Sequence, residues 1–332
     1  LQMAPHCDKF LVWASFAQKE MQRLGFKNVE TLHGAINYTH FKPLKDKNQI
    51  RKRFGLQDQY VVGFVFKNQL RKSVPNLLEG FKIFKKNNPE INTKLVLHTD
   101  WGEVSANNWD IPRYLKEKEI NTNDVLATYL CHACNFYYVG SYQGEDKNCP
   151  SCHSEKTFKT KNSAKGVNEK ELNEIYNCMD VYCHPFTSGG QELPVQEAKA
   201  AGLITLVTEY SCGTDSCYER HGGLPLKWNE YREPSTQFVK ASTCPHDIAL
   251  QLERVYRMNE TEKRDLSTNA IKYVKEEFSV ESVVKKLKNI LLNLKKPKQK
   301  EEEKQEDSQQ NPVEFADFLD GEAKDRILIV VP

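Results

Sequence analysis

Residues 181–208 read VYCHPFTSGGQELPVQEAKAAGLITLVT and contain the pattern that decides the fold. Two short apolar runs, 181–184 and 203–208, have the length and composition of buried strands. The segment 194–201 between them predicts a helix, which Gly202 closes. A strand, a helix and a second strand in this order are typical of a parallel crossover unit in an α/β protein.

The same alternation extends along the rest of the chain. Strands are expected at 10–14, 29–32, 60–66, 95–97 and 125–130, and helices at 15–24, 45–53, 73–86, 111–118 and 169–178. Three more helices are expected at 247–258, 260–277 and 280–294, with Ser279 as the N-cap of the last. We therefore predict an α/β fold with a doubly wound parallel sheet, in which ligands bind at the carboxyl ends of the strands.

Composition excludes several classes of protein. The 332 residues include 47 Lys and Arg against 45 Asp and Glu, which gives a formal net charge of +2. This balance makes nucleic acid an unlikely main partner. No run of about 18 apolar residues occurs, so a membrane-spanning helix is excluded. With 39% hydrophobic and 28% charged residues and no sign of an oxidising compartment, we expect a soluble cytoplasmic protein.

Four of the ten cysteines form two CxxC pairs, Cys131 with Cys134 and Cys149 with Cys152, separated by fourteen residues. Two such knuckles can place four thiolates around a tetrahedral zinc ion, and a closed four-cysteine site is structural rather than catalytic. We expect a zinc ribbon over 129–160, inserted between a strand and the next helix. The alternatives are a disulfide pair or a redox CxxC, but the first needs an oxidising compartment and the second needs no second pair.

A basic loop follows the predicted strand 60–66. It carries Lys67, Asn68, Arg71 and Lys72 immediately before a helix. Cations at a strand end beside a helix N-terminus are suited to an anion, and a diphosphate is the natural ligand. The alternative is a basic loop that is merely solvated.

Two more loops are expected at the same edge of the sheet. After strand 181–184 come Ser188, Gly189, Gly190, Glu192 and Glu197, where the glycines let the backbone approach a ligand closely and Glu197 could accept two hydroxyls of a ribose. After strand 203–208, a polar loop contains Gly213. For Glu197 the alternative is a helix-start carboxylate favoured by the dipole, and for the last loop it is an ordinary turn.

From about residue 10 to residue 294, these motifs resemble the C-terminal nucleotide-sugar domain of GT-B fold retaining glycosyltransferases of group 1, or family 4-like, type. The motif P-x-x-x-G-G-x-x-L-P-x-x-E-A at 185–198 carries most of the resemblance, and LHGAINYTHFKP at 32–43 is similar to the interdomain link of that family. By this resemblance, Lys67 and Lys72 occupy the places of an Arg and a Lys that hold the donor diphosphate. Glu197 matches the ribose-binding second glutamate of the family's E-x7-E motif.

One position departs from the family pattern. The first glutamate of the E-x7-E motif, which helps to hold the sugar, falls at Gly189. Glu192 lies three residues on and could replace it. The zinc ribbon is also not a general feature of the family.

The resemblance implies a hexosyltransferase-type enzyme that takes a sugar from a UDP-, GDP- or ADP-sugar with retention at the anomeric carbon. The acceptor would be a carbohydrate, a lipid or a protein. Lys67 and Lys72 would stabilise the leaving diphosphate without a catalytic metal. The alternatives are a degenerate glycosyltransferase, which Gly189 would favour, and a non-catalytic binding module built from a zinc ribbon and a Rossmann-like domain.

The resemblance and the composition together predict the domain organisation. Residues 1–42 would be the tail of an N-terminal acceptor domain with the interdomain link, and 43–294 the nucleotide-sugar-binding domain with its closing helices. Residues 295–312 contain charged and polar residues typical of a linker, and 313–332 would begin a further α/β domain. On this interpretation the chain is a fragment of a longer protein.

Overall fold

The computed structural model describes residues 4–160, 165–234 and 236–294, together with the backbone of 328–331. The strands are β1 Lys9–Val12, β2 Val29–Thr31, β3 Tyr60–Val65, β4 Thr93–His98, β5 Val125–Cys131, β6 Tyr137–Ser141, β7 Phe158–Thr160, β8 Val181–His184, β9 Ile204–Thr208, β10 Gly223–Leu226, β11 Trp228–Arg232, β12 Val239–Thr243 and β13 Leu328–Val331. The α-helices are α1 Ser15–Arg23, α2 Lys47–Arg53, α3 Val74–Asn87, α4 Ile111–Glu117, α5 Glu169–Asn177, α6 Leu193–Ala200, α7 Pro245–Arg257, α8 Glu260–Glu277 and α9 Val280–Leu292.

The main sheet has eight strands in the order β10-β9-β8-β3-β4-β5-β6, with β7 also paired to β5. From β10 to β5 every pairing is parallel, whereas β6 and β7 run antiparallel to β5. All six residues of β3 are buried, as expected for a central strand covered on both faces. The predicted doubly wound parallel sheet is therefore confirmed.

The helices cover the sheet through the apolar faces that the sequence periodicity predicts. In α3 that face is fully buried and consists of Val74, Leu77, Leu78, Phe81 and Phe84. The helix packs closely on α7 at Gly80, where an added Cβ would lie 2.7 Å from the Ile248 side chain. Close helix contact thus holds the layer that supports β3 and its basic loop.

A second, smaller sheet contains the first residues of the chain. Its parallel strands are ordered β13-β1-β2, so Leu328–Val331 pairs directly with Lys9–Val12. Helix α9 lies against this sheet, with Ile290 packed on Leu11 and Leu32. Ser279 caps α9 as predicted, because its side chain accepts a hydrogen bond from the Ser282 amide. The predicted linker at 295–312 lies outside the described residues.

Two features were not predicted from the sequence. Strand β10 contains Pro225, which strands tolerate at a sheet edge, and β10 is an edge strand here. Strands β11 and β12 form an antiparallel hairpin between β10 and α7. The exposed, polar character of β11 explains why it lacks the apolar run of a buried strand.

None of the helices in the described part of the chain combines the length and apolar character that a bilayer span requires.

Helix α6 carries a fully buried lysine, Lys199. Its Nζ donates to the backbone oxygen of His221 at 2.5 Å. No carboxylate pairs with this ammonium within the described ranges. Burial lowers the pKa of Lys199 to about 7. A charge held in this place must cost folding free energy.

We expect Lys199→Met to stabilise the protein at pH 6, by on the order of 1–3 kcal/mol in unfolding free energy. The folded pKa is depressed, so the unfolded chain holds the proton more tightly. The cost is complete below about pH 7 and shrinks as the pH rises towards the ordinary lysine value. Urea denaturation from pH 6 to pH 10 measures the difference between variant and wild type.

The control is Lys170→Met, which removes an exposed lysine from α5. A Lys199→Met variant that is less stable than wild type at pH 6, or whose difference does not shrink at high pH, contradicts the interpretation.

Candidate functional site

Three loops meet at the carboxyl ends of β3, β8 and β9. The Thr187 amide donates to the Arg71 backbone oxygen at 2.8 Å, which joins the loops after β3 and β8. The Gly189 amide donates to Ser211 Oγ at 3.1 Å, which joins the loops after β8 and β9. The structure thus brings together the three loops that the sequence placed at one edge of the sheet.

At the centre of this edge lies the carboxylate of Glu192. Its Oε1 accepts a hydrogen bond from Arg71 Nη1 at 2.5 Å, and its Oε2 accepts one from Lys72 Nζ. The same Oε2 lies 3.1 Å from His184 Nε2. Glu192, Lys72 and His184 are all buried, whereas the Arg71 side chain is 42% exposed. We call these four residues the Glu192 cluster.

The protonation states of the cluster follow from burial and from its charges. Burial alone would raise the pKa of Glu192, but the His184 hydrogen bond and the Lys72 charge outweigh it and lower that pKa. Burial lowers the pKa of Lys72, against the attraction of Glu192. Burial and the Lys72 charge lower the pKa of His184 to about 4. At neutral pH the cluster therefore holds a carboxylate, two cations and a neutral imidazole.

A neutral His184 fixes the direction of its hydrogen bonds. Its Nε2 carries the proton and donates to Glu192, which leaves Nδ1 as an acceptor 3.0 Å from the Tyr182 hydroxyl. That hydroxyl also lies 3.0 Å from the Val65 backbone oxygen in β3. The single proton of the hydroxyl is shared between Nδ1 and the Val65 backbone oxygen. No role for His184 was predicted from the sequence, although its place at the end of β8 and eight residues before Glu192 is a usable signal.

Gly189 leaves room for the Glu192 carboxylate. A Cβ added at position 189 would lie 2.6 Å from Glu192 Oε1 and 3.5 Å from Arg71 Nη1. The carboxylate of residue 192 thus occupies the space into which a side chain at 189 would project. Glu192 is also the N-cap residue of α6, but its side chain makes no capping hydrogen bond.

The remaining predicted residues take several positions. Lys67 is exposed, and Asn68 is fully buried. Asn68 Nδ2 donates to the backbone oxygens of Asp100 and Trp109, and its Oδ1 accepts from the Trp109 amide. All of its amide groups therefore hold the backbone, which assigns it to positioning the loop rather than to direct contact with a ligand.

Glu197 lies in the second turn of α6 rather than the first, because the helix begins at Leu193. Its Oε2 accepts from the buried Tyr176 hydroxyl at 2.7 Å. Gly213 allows a tight turn after β9, since an added Cβ would lie 2.1 Å from the Thr208 backbone oxygen. Gly190 is exposed at the rim of the loop after β8.

The unpredicted hairpin adds a cation to this rim. Lys240 of β12 donates from Nζ to Ser188 Oγ at 2.8 Å, and the Ala241 amide donates to the Thr187 backbone oxygen at 3.0 Å. Lys240 has no carboxylate partner within the described part of the chain. The alternation of apolar and polar residues in 239–242 (VKAS) is the sequence signal that could have revealed this strand.

The four cysteines of the two CxxC pairs also come together. Their sulfur atoms all lie within 4.8 Å of one another. The Ala133 and Cys134 amides point at Cys131 Sγ, both at 3.4 Å, and the second knuckle repeats this arrangement around Cys149. The nearest sulfur pairs are 3.7 Å apart, far longer than a disulfide bond of about 2 Å.

The pKa values of the cluster diverge: despite a backbone hydrogen bond, that of Cys134 is raised to about 11 by desolvation and its sulfur neighbours, whereas those of Cys131 and Cys152 are lowered. Burial opposes ionisation of Cys131, but hydrogen bonds from Thr157 and from the Cys134 and Ala133 amides lower its pKa to about 6. Four convergent sulfurs and backbone donors are a donor set that fits a tetrahedral metal ion. The cluster can therefore hold a metal, and its chemistry favours zinc.

A cleft of about 910 Å³ lies at the opposite edge of the sheet, beside the amino ends of its strands. Its lining includes Lys47 and Arg51, which both pair with Asp180, and Arg264. Ligands of doubly wound sheets bind at the carboxyl ends of the strands, so the Glu192 cluster is the stronger candidate site.

Comparison with solved structures places the fold. The chain is similar to sucrose-phosphate synthase from Thermosynechococcus elongatus, with a TM-score of 0.60 and 14% identity over 86% of this chain. It is also similar to a glycosyltransferase from Rickettsia africae, with a TM-score of 0.61 and 9% identity over 88% of this chain. A third similar structure is Anabaena HepE in complex with UDP-glucose, with a TM-score of 0.60 and 10% identity over 86% of this chain. The chain spans 57%, 67% and 64% of the lengths of these three proteins.

These neighbours confirm the predicted GT-B, Rossmann-like fold class, because a mixed α/β chain with a largely parallel central sheet superposes on several glycosyltransferases. No protein-family model and no curated protein sequence matches the chain.

Proposed function

We propose that this chain forms the donor-binding part of a glycosyltransferase that uses a nucleotide sugar. The observation that carries the proposal is the Glu192 cluster with its cations, at the carboxyl edge of a GT-B type sheet. A neighbour of the same fold is in complex with UDP-glucose, which supports a nucleotide-sugar donor. Experiments must identify the base and the sugar of this donor, and must show whether the acceptor is a carbohydrate, a lipid or a protein.

The cations suit the leaving group of such a reaction. When the bond between the anomeric carbon and the diphosphate breaks, negative charge grows on the diphosphate oxygens. Arg71 and Lys72 share one carboxylate, Lys240 has a hydroxyl as partner and Lys67 is exposed, so this edge carries a surplus of positive charge. These side chains would bind the diphosphate and stabilise it as it leaves, while the acceptor oxygen bonds to the sugar and releases its proton.

Glu192 would serve the sugar in place of a glutamate at 189. Its carboxylate reaches the space beside Gly189, next to the cations that would hold the diphosphate. Glu197 would accept the ribose hydroxyls, with Tyr176 holding its carboxylate in place. Retention at the anomeric carbon and transfer of a hexose rest on the family resemblance.

We propose that the four-cysteine cluster holds a structural zinc ion. Cys131, Cys134, Cys149 and Cys152 would be its ligands, and the ion would cross-link the two knuckles at the end of β5 and before β7.

Nucleotide binding should depend on the cations. We expect wild type to bind at least one of UDP, GDP and ADP, and Lys72→Met to weaken that binding about tenfold or more, since it removes a buried charge-assisted contact. Because Lys72 is buried, a second variant is made at the exposed Lys67, where a substitution leaves the core intact. We expect Lys67→Ala to lower the nucleotide affinity about fivefold. Isothermal titration measures both.

The control is Lys86→Met, which removes an exposed lysine from the far end of α3. Absence of heat with all three nucleotides in wild type would refute the donor-site proposal.

Moving the glutamate tests whether Glu192 takes the role of residue 189. We expect Glu192→Gly to lose the extra affinity that the hexose gives to the nucleotide sugar, by about tenfold. The double variant Gly189→Glu/Glu192→Gly should recover most of it, because both carboxylates would reach the same space. Titration with the nucleotide and with its hexose derivative separates the sugar contribution.

Gly189→Glu alone should bind poorly, since the two carboxylates would collide. A double variant no better than Glu192→Gly would mean that the carboxylate has another role, and would favour a non-catalytic module.

Metal content tests the ribbon. We expect about one zinc ion per chain by atomic emission, and its loss in Cys149→Ser because a tetrahedral site cannot close with three thiolates. Cys178→Ser is the matched control, since Cys178 is buried outside the cluster. Zinc content that is equal in both variants would contradict the assignment.

A further inference from the structure

We propose that the zinc ribbon positions the diphosphate-binding loop, so that the four-cysteine site sets the affinity for the donor. The inference rests on the proposed function and assigns a role to an insertion that the donor site itself does not use. On this proposal, Thr160 and Glu145 of the ribbon are positioning residues. They act through residues 99–109, which follow β4 and which we call the support loop.

The ribbon is bonded directly to the support loop. Thr160, in β7, is buried, and its Oγ1 accepts a hydrogen bond from the Trp101 amide at 3.1 Å. Glu145 holds Thr160 in place, accepting from its amide at 2.8 Å and from its hydroxyl at 2.7 Å. Trp101 is buried and stacks on Tyr142 of the ribbon, with ring centroids 4.7 Å apart. The first residues of the support loop are thus fixed by ribbon side chains.

The support loop is in turn bonded to the loop that carries the cations. Asn68 makes three hydrogen bonds with the backbone of Asp100 and Trp109. The Asn108 side chain donates to the Asn68 backbone oxygen at 2.8 Å, and the Leu70 amide donates to the Asn107 backbone oxygen at 3.3 Å. Arg71 and Lys72 follow directly, so their position depends on the support loop.

The cysteine cluster and the pairing of β7 with β5 together hold β7. The first knuckle begins at the end of β5, and the second lies between two halves of the ribbon, since Lys147 and Phe158 exchange backbone hydrogen bonds across it. Holding the second knuckle against the first therefore presents Thr160 to the support loop. Without a metal ion, β7 would keep its pairing with β5 and the aromatic contacts of Phe158 with Tyr129 and Phe136. The second knuckle would no longer be held to the first, so we expect the position of Thr160 to become less fixed.

A separate contact attaches the ribbon to another part of the domain. Tyr137 of β6 bonds to Glu174 in α5 and to Arg53 at the end of α2. This contact attaches the ribbon to the domain on the side of α2 and α5. Disturbing it tests ribbon attachment in general, whereas disturbing Thr160 tests the path to the support loop.

The decisive experiment titrates the nucleoside diphosphate that wild type binds, and the matching nucleoside, into three variants. Thr160→Val removes the hydroxyl that joins Trp101 to Glu145, and Thr160→Ser retains it. Lys159→Met is the matched control, because it removes the half-buried neighbouring side chain that pairs with Asp146. We expect Thr160→Val to weaken the diphosphate about fivefold or more with little change for the nucleoside, while Thr160→Ser and Lys159→Met stay near wild type.

Removal of the metal with a chelator should produce the same pattern, and added zinc should reverse it. Amide hydrogen exchange of 69–72 and 100–109 should accelerate in Thr160→Val and in the metal-free protein, with the exchange of β3 and β4 unchanged. Equal diphosphate affinity in wild type, Thr160→Val and metal-free protein would overturn this inference alone. A wild type that binds no nucleotide would overturn the proposed function and the inference with it.

Discussion

The buried carboxylate of Glu192 is the interaction on which the candidate site depends. A buried cation without a carboxylate partner costs several kcal/mol, so Lys72 depends on a partner to hold its charge at little cost. Glu192 supplies the partner and also contacts Arg71 and His184. It thereby links the start of α6 to the loop after β3 and to the end of β8. A diphosphate at this edge would meet cations that are already oriented, so little ordering would be needed on binding.

Two insertions border this edge of an otherwise regular sheet. The hairpin β11–β12 brings Lys240 to Ser188 on one side, and the ribbon fixes residues 99–109 on the other. The hairpin attaches to this edge through backbone and hydroxyl hydrogen bonds, whereas the ribbon also pairs with β5 and adds residues such as Tyr137 and Phe158 to the main core. Such attachments place side chains accurately, yet they can vary without disturbing the parallel sheet that carries the site.

The sequence predicted the sheet well, because buried parallel strands such as β3 are continuous apolar runs. It also placed the three loops at one edge. It could not predict which polar side chains serve the fold. Asn68 and Lys72 look alike as polar residues of one loop, and only their contacts separate a backbone support from a buried cation paired with Glu192. The hairpin was missed because β11 is exposed. The burial of Lys199 was missed because a lysine in a helix normally faces solvent.

A crystal structure with a bound nucleoside diphosphate tests the central claim most directly. We expect the phosphate oxygens within hydrogen-bond distance of Arg71 and Lys72, beside the Gly189–Gly190 backbone, with the Glu192 carboxylate still next to Gly189. Electron density for the nucleotide at the opposite edge, in the cleft lined by Lys47 and Arg264, with the Glu192 cluster free of phosphate, would contradict it.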